Sequence, residues 1–401
     1  MEIYFPCQNQ IDILYLFVFG SENVSNLALM SSASNTSVID VTFFLVKNQN
    51  DIFAGRFYQL SVYHTLLYQN TVAVVSIVVD NNNMETIQHS NIQINGINMH
   101  IAQIPNTGPP ILFLHGFPEL WYSWRHQMLY LSSLGYHTIA PDLRGYGGSS
   151  APSSADQYTV FHILGDLVSL IDALGFDKVF VVAHDWGAVM AWYLCLIKPH
   201  RVKALVNLSV VFSPRHPLRK PIESMRKMFG DDYYICRFQQ PGEAEEEFAR
   251  VDTALVIKKF LTSRNPGLLC VPKEVGFGGN PNAKIALPSW LTEDDVNYFA
   301  TAFKRTGFTG GLNYYRAMDL NWELTAAWTG EQIKVPVKFI VGDLDLTYNT
   351  PGVKDFIHKG GFKKHVPFLQ ELVIMEGVAH FINQEKAQEV SEHIYDFIKK
   401  F

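Results

Sequence analysis

The chain has 401 residues, 48% of them hydrophobic, enough to bury one large core with a subdomain attached. Its formal net charge is −6, with Lys and Arg dispersed, which argues against nucleic acid or an anionic membrane surface as partner. The four cysteines, Cys7, Cys195, Cys236 and Cys270, show neither metal spacing nor a disulfide framework, so a reduced compartment is the simpler expectation.

Residues 1 to 83 mix Ser/Asn-rich segments with apolar runs such as LYLFVF and TVAVVSIVV, and Lys47 and Arg56 are the only basic residues among them. No run reaches the roughly 18 residues of a membrane span. The start lacks the positive flank and cleavage site of a signal peptide, and basic residues are too few for an organellar transit peptide. This stretch is expected to be an unstructured or loosely attached extension, or an upstream addition to a chain that begins at Met84.

From Met84 the pattern becomes regular. Strands are expected near 90 to 104, with Asn95 and Gly96 marking a hairpin turn. Further strand signals at 111 to 114, 137 to 140, 179 to 184 and 203 to 209 alternate with helical stretches, the pattern of an α/β fold. In ILFLHGFPELWYSW, residues 111 to 124, a buried strand ends at His115 and Gly116 and Pro118 breaks the loop beyond. His115, Gly116 and Pro118 are placed at the turn beside the substrate pocket. The GYGGSS run at 145 to 150 lacks full GxGxxG spacing and a following helix signal, so it reads as a core loop rather than a dinucleotide site.

Residues 179 to 187, VFVVAHDWG, are an apolar strand that delivers a carboxylate, Asp185, to a tight turn followed by small, helix-compatible residues. The arrangement matches a strand–turn–helix nucleophile elbow of general form GxSxG, with Ala183 and Gly187 in the outer places and Asp185 where serine usually stands. The same pattern by itself also fits an aspartate that merely caps the helix beginning near Trp186. Aspartate is already ionised at neutral pH, which suits displacement at a strained or activated sp3 carbon rather than acyl transfer. The backbone amides of Phe117 and Trp186 are the candidates for an oxyanion hole beside it.

Between roughly 213 and 326 the texture changes to Arg, Glu and aromatic residues at helical spacing, and the acidic run GEAEEEFAR is read as a solvated helix face. The core pattern resumes at 335. VKFIVGDLD, 337 to 345, leads to Asp343 and Asp345; ELVIMEGVAH, 371 to 380, leads to His380; an amphipathic helix follows over 384 to 400. Reacting groups in an open parallel sheet collect beyond the carboxyl ends of the strands, so Asp185, one of the two later aspartates and His380 are expected to converge there. Nucleophile, acid, histidine is also the chain order of the α/β-hydrolase elbow enzymes.

The motifs HGFPELWYSWRHQ, PDLRGYGGSS, VAHDWGA, NYYRAMDLNWELTAAWTG, VGDLDLTYNTPGVKDFI and EGVAHFINQEKA, in this order, resemble those of plant soluble epoxide hydrolases, and the likeness runs from Met84 to Phe401. The resemblance implies an α/β-hydrolase fold: a mostly parallel eight-stranded sheet with a helical cap inserted between the sixth and seventh core strands. Core is then expected at 84–212 and 327–401, cap at 213–326. It implies Asp185 as nucleophile, Asp345 as the acid that orients the histidine, and His380 as the base that activates water. It assigns Tyr234 and Tyr315 from the cap to bind and protonate the epoxide oxygen, with Tyr233 and Tyr314 as neighbours that could be confused with them. Fatty-acid epoxides are the substrates it suggests.

A dehalogenase would share the aspartate and even the following tryptophan. Several halide-binding versions, however, place Asn after HG, where this chain has Phe117. An esterase would need serine at 185. A non-catalytic receptor on the same fold would normally have lost a triad member, whereas all are present here. The expected partners are a small epoxide and water, with no metal and no cofactor. A monomer or homodimer is expected, and the terminal KKF is not a peroxisomal address, so the cytosol is the expected compartment.

Overall fold

The computed structural model describes residues 84–401 in full and, within 1–83, the backbone of four short strands. These form two antiparallel pairs, β1 (Ile13–Leu16) with β2 (Leu27–Met30) and β3 (Thr42–Asn48) with β4 (Asp51–Arg56). The remainder of that stretch, Cys7 and the TVAVVSIVV run included, lies outside the described residues, and so does most of the expected unstructured extension. Residues 84–401 make up a separate compact unit.

Its centre is an eight-stranded sheet. The chain enters through the hairpin of β5 (Gln88–Ile94) and β6 (Ile97–Ile104), whose turn puts both Asn95 (φ 44°) and Gly96 (φ 78°) in the positive-φ region that Asn and Gly tolerate best. Then come β7 (Pro110–Leu114), β8 (His137–Pro141), β9 (Val179–His184), β10 (Val202–Leu208), β11 (Val337–Gly342) and β12 (Leu369–Met375). Their order across the sheet is β12-β11-β10-β9-β7-β8-β6-β5. Pairing from β8 to β12 is parallel, while β5 and β6 join antiparallel at one edge.

The central strands are buried on both faces because alternate residues feed two apolar layers. Phe113, Phe180, Val182 and Val206 point toward α1 (Arg125–Ser133), where Met128 and Leu131 receive them together with Ile394 and Phe397 of the C-terminal helix. Leu112, Val181, Leu205 and Phe339 point the other way, toward Ile163 and Leu167 of α2 (Val160–Ala173) and Met190 and Leu194 of α3 (Trp186–Ile197).

Seven helices lie between β10 and β11, the sixth and seventh strands of this sheet: α4 (Pro221–Phe229), α5 (Tyr234–Arg237), α6 (Glu243–Ala249), α7 (Thr253–Leu261), α8 (Glu293–Thr306), α9 (Thr309–Arg316) and α10 (Met318–Leu324). After β11 come α11 (Val353–His358) and α12 (Gly361–His365), and after β12 come α13 (Ile382–Glu385) and α14 (Ala387–Ile398). The buried pair Arg125–Asp295, at 2.8 Å, ties the inserted helices to the core.

The acidic run on α6 is solvated only in part: Glu246 is exposed, whereas Glu245 and Glu247 are turned to partners. Glu247 is buried against Arg237 and accepts from the Phe277 amide at 2.9 Å, and Glu245 takes a two-pronged ion pair from Arg316 at 2.8 and 2.9 Å. Arginines contributed by distant segments, invisible to local charge counting, turn two of these glutamates inward.

Candidate active site

Asp185 sits in a backbone conformation that side chains rarely adopt, φ 51° and ψ −121°, at the turn between β9 and α3. The start of α3 approaches the end of β7 so closely that a Cβ on Gly187 would lie 2.2 Å from the Leu114 carbonyl oxygen. A Cβ on Gly116 would lie 2.3 Å from Asp185 itself. Glycine at both places is what lets the elbow close, a steric requirement rather than a matter of flexibility. The Asp185 side chain makes no capping bond to α3, so the helix-cap reading fails. Instead its Oδ1 accepts from the Phe117 amide at 2.6 Å. Trp186, the other expected oxyanion donor, opens α3, where first-turn amides have no partner inside the helix.

The ends of β11 and β12 supply the partners. His380 Nδ1 donates to the Asp345 carboxylate, at 3.0 and 3.1 Å from its two oxygens, and its Nε2 lies 3.4 Å from Asp185 Oδ2. Asp345 is fully buried and also accepts from the Thr347 amide and hydroxyl, both at 2.8 Å. Burial opposes its ionisation, but the charge and hydrogen bond of His380 outweigh that and hold it below the usual carboxylate range. Burial by itself would depress the basicity of His380; the Asp345 charge, hydrogen bonds to both aspartates and the Asp185 charge together raise it well above the ordinary imidazole range. Asp343 is spent elsewhere, accepting from the Val378 amide at 3.3 Å.

Across from Asp185 stand two phenols from the inserted helices. Tyr234 opens α5 and Tyr315 lies near the end of α9; their rings meet edge to face at 5.9 Å, and Tyr315 packs on the Trp186 ring at 4.9 Å. Burial is the main cause that pushes both phenols well above the ordinary tyrosine value, followed by the Tyr233 and Tyr315 phenols for Tyr234 and by the Asp185 charge for Tyr315, so both remain donors. Of the two confusable neighbours, Tyr314 is turned away and donates to the Arg144 carbonyl at 2.9 Å. Tyr233 borders the same space but is buried against Phe229 and the Tyr234 ring.

Asp185, Tyr234 and Tyr315 all face one cavity of about 510 Å³, with Val189, Phe212, Met225, Met318, Trp322 and Leu346 on its apolar walls. His115 is not part of that lining. It is fully buried beneath, where Nε2 accepts from the Leu143 amide at 3.0 Å and Nδ1 donates to the Gly116 carbonyl at 2.9 Å, so both ring nitrogens are already spent on holding the turn. Pro118 is buried in the same turn, away from the lining. Among the described residues no cluster of three potential ligands could hold a metal ion, and no helix is long and apolar enough to cross a membrane.

Two residues that sequence reasoning left without a role stand directly behind the site. His184 and Glu119 are both fully buried; His184 Nδ1 donates to Glu119 Oε2 at 2.7 Å and Nε2 donates to the His380 carbonyl at 2.7 Å. Burial disfavours the Glu119 charge, yet the His184 charge and hydrogen bond win and hold its carboxyl down at about 2. The available signal was a histidine inside an otherwise apolar strand and a glutamate just past a buried turn, both of which must find polar partners.

Comparison with known proteins agrees with this geometry. The α/β hydrolase fold family profile matches residues 109–242. The chain is 64% identical to Epoxide hydrolase 1 of Siraitia grosvenorii over 318 residues, which is 79% of this chain and all of that one. Among solved structures it is similar to an epoxide hydrolase from Vigna radiata, 57% identical with a TM-score of 0.76, covering 80% of this chain and all of the other. It is similar too to potato (Solanum tuberosum) epoxide hydrolase I, 55% identical with a TM-score of 0.75, covering 79% of this chain and all of the other. A strand-end carboxylate facing two phenols, identities of this size and complete coverage of the relatives lead to one conclusion: the chain belongs to the epoxide hydrolases of the α/β-hydrolase fold, enzymes that open epoxides to diols.

Proposed function

We propose that this chain opens its epoxide through a covalent ester on Asp185, with Tyr234 and Tyr315 as acids and His380 as the base of the second step. The observation that carries the reading is one carboxylate and two phenols on the lining of a single, mostly apolar cavity, with the imidazole 3.4 Å from the carboxylate. Asp185 attacks one ring carbon; that C–O bond breaks and the departing oxygen takes a proton from a tyrosine, leaving a hydroxyalkyl ester. Esterification removes the Asp185 charge, one of the groups that favour protonated His380, so more of the imidazole is neutral and free to accept a proton once the intermediate exists. It then takes a proton from water, which attacks the Asp185 carboxyl carbon, and the tetrahedral oxyanion falls to the Phe117 and Trp186 amides. Collapse breaks the ester bond, the expelled oxygen takes the proton held by His380 to complete the vicinal diol, and the proton of the regenerated Asp185 carboxyl returns to the tyrosinate.

The substrates proposed are epoxides of long-chain fatty acids. The cavity walls suit a hydrocarbon chain, and Arg215, His216 and Arg219 on the same lining suit a carboxylate at its far end.

The test is intact-protein mass after mixing the His380→Gln variant with an epoxystearate. A stable gain of one substrate mass, abolished by adding Asp185→Ala, is expected. Turnover to diol with no adduct at any time would contradict the reading. Turnover of a chloroalkane in place of the epoxide would favour a dehalogenase.

A further inference from the structure

The loop that carries His380 is held from two sides by different parts of the chain. On the core side, the His380 carbonyl accepts from His184 Nε2 at 2.7 Å and Ser209 Oγ at 3.1 Å, and Gln127 donates to the Asn383 carbonyl at 2.8 Å. On the other side, the amide of Ala379, the residue before His380, donates to Glu385 Oε2 at 2.9 Å. Glu385 is nearly buried and is gripped in turn by Arg264, which lies past α7 in the inserted region. The same guanidinium donates to the Gly377 carbonyl, so one cap side chain bridges both ends of the histidine loop.

The loop is packed as well as bonded, with Val378, Ala379, His380 and Phe381 all buried. A cavity of about 190 Å³ opens at the seam, with Leu261, Arg264, Leu287, Trp290, Ala379 and Glu385 on its walls. Beside that space the bonds of Arg264 and Glu385 add to what packing fixes.

We infer that Arg264 is a positioning residue for His380, through which the cap sets the imidazole for the hydrolytic half of the reaction. The inference rests on the two-step reading above. The first half uses Asp185 and the phenols and makes no demand on His380. The second needs Nε2, now 3.4 Å from Asp185 Oδ2, to hold a water on line with the ester carbon. Loosening the Ala379 side of the loop therefore affects only the second half.

The experiment is single-turnover kinetics on the full chain, with protein in excess over an aryl epoxide, resolving ester formation from ester hydrolysis, for the parent protein, Arg264→Gln, Arg264→Lys and Glu385→Gln. A sub-ångström to ångström shift of a catalytic group costs on the order of tenfold or more. Arg264→Gln is expected to slow hydrolysis about tenfold and to change ester formation by less than about twofold, so kcat and KM fall together while kcat/KM holds. Arg264→Lys, which keeps one charge-assisted bond, is expected to recover part of the loss. Glu385→Gln, which keeps an acceptor for the Ala379 amide but not the ion pair, is expected to show the same split, smaller, and carries the test if Arg264→Gln does not fold. Equal slowing of both steps, or no change in either, overturns the inference. A parent protein that forms no ester overturns the two-step reading as well, whereas an ester formed and hydrolysed at parental rates in the variants overturns the positioning role alone.

Discussion

The two halves of the candidate site are built differently. Asp185, Asp345 and His380 follow the carboxyl ends of β9, β11 and β12, strands of one parallel run in the sheet, which brings their loops to the same edge. Tyr234 and Tyr315 stand on α5, four residues long, and α9, eight long, and reach Asp185 only because the cap folds down on the core. The difference teaches that the proposed nucleophile and base are carried by the sheet, with the base's loop also braced from the cap by Arg264, while the proposed acids are carried by the cap alone.

The sharpest way to break this comparison is to remove the core carboxylate. Asp185→Ala is expected to lower diol formation by about 10⁴-fold or more, in keeping with loss of a covalent nucleophile, measured as initial rate on any accepted epoxide. The cap phenols are expected to be partly redundant. Tyr234→Phe or Tyr315→Phe alone is expected to cost roughly 10 to 100-fold in the rate of ester formation, and the pair about 10³-fold, with ester hydrolysis little changed. Equal losses in both steps would show that the phenols hold the cap together rather than donate a proton.

A pH profile sharpens the same division. His380 acts as base only when neutral, so kcat limited by hydrolysis is expected to fall about tenfold per unit below the histidine value in the ester, while kcat/KM, which reports ester formation, keeps its level to lower pH. At the alkaline end the phenols, pushed well above 10, give no limb below pH 10. A kcat/KM that declines near pH 8 would contradict the assignment of the two tyrosines.

How much of this was legible in the sequence follows the same line. The strand ends at Asp185 and His380 could be read because a run of β-branched residues leading into a polar one has few structural meanings, and the sheet topology then brings them together. The choice of Asp345 over Asp343 could not be made from spacing, since what separates them is the partner the fold brings: the His380 imidazole and Thr347 for Asp345, the Val378 amide for Asp343. The tyrosines came from family likeness, because adjacent pairs in short helices carry no pattern that separates Tyr315, on the cavity, from Tyr314, bonded to the Arg144 carbonyl. His115 was placed at the pocket because it borders the turn; the partners that bury it, Leu143 and Gly116, include one that lies across the sheet in sequence terms.

The smallest expected effect is on stability. Glu119 has its carboxyl held at about 2 in the fold against an ordinary 4.5, so its contribution is complete above about pH 4.5 and is lost as pH falls toward 2. A shift of that size corresponds to roughly 3 kcal/mol. Glu119→Gln is expected to lower the melting temperature at pH 7 and to flatten its fall between pH 4.5 and 2. An unchanged acid profile would show that the Glu119–His184 pair does not hold the floor of the site.

The most direct test of the account is a single turnover in heavy-oxygen water, with protein in excess over epoxide. The covalent route predicts unlabelled diol in that first turnover and one heavy oxygen in the Asp185 carboxylate, located by peptide mass analysis. Label appearing in the first-turnover diol, with Asp185 unlabelled, would mean that water attacks the epoxide directly and would contradict the account.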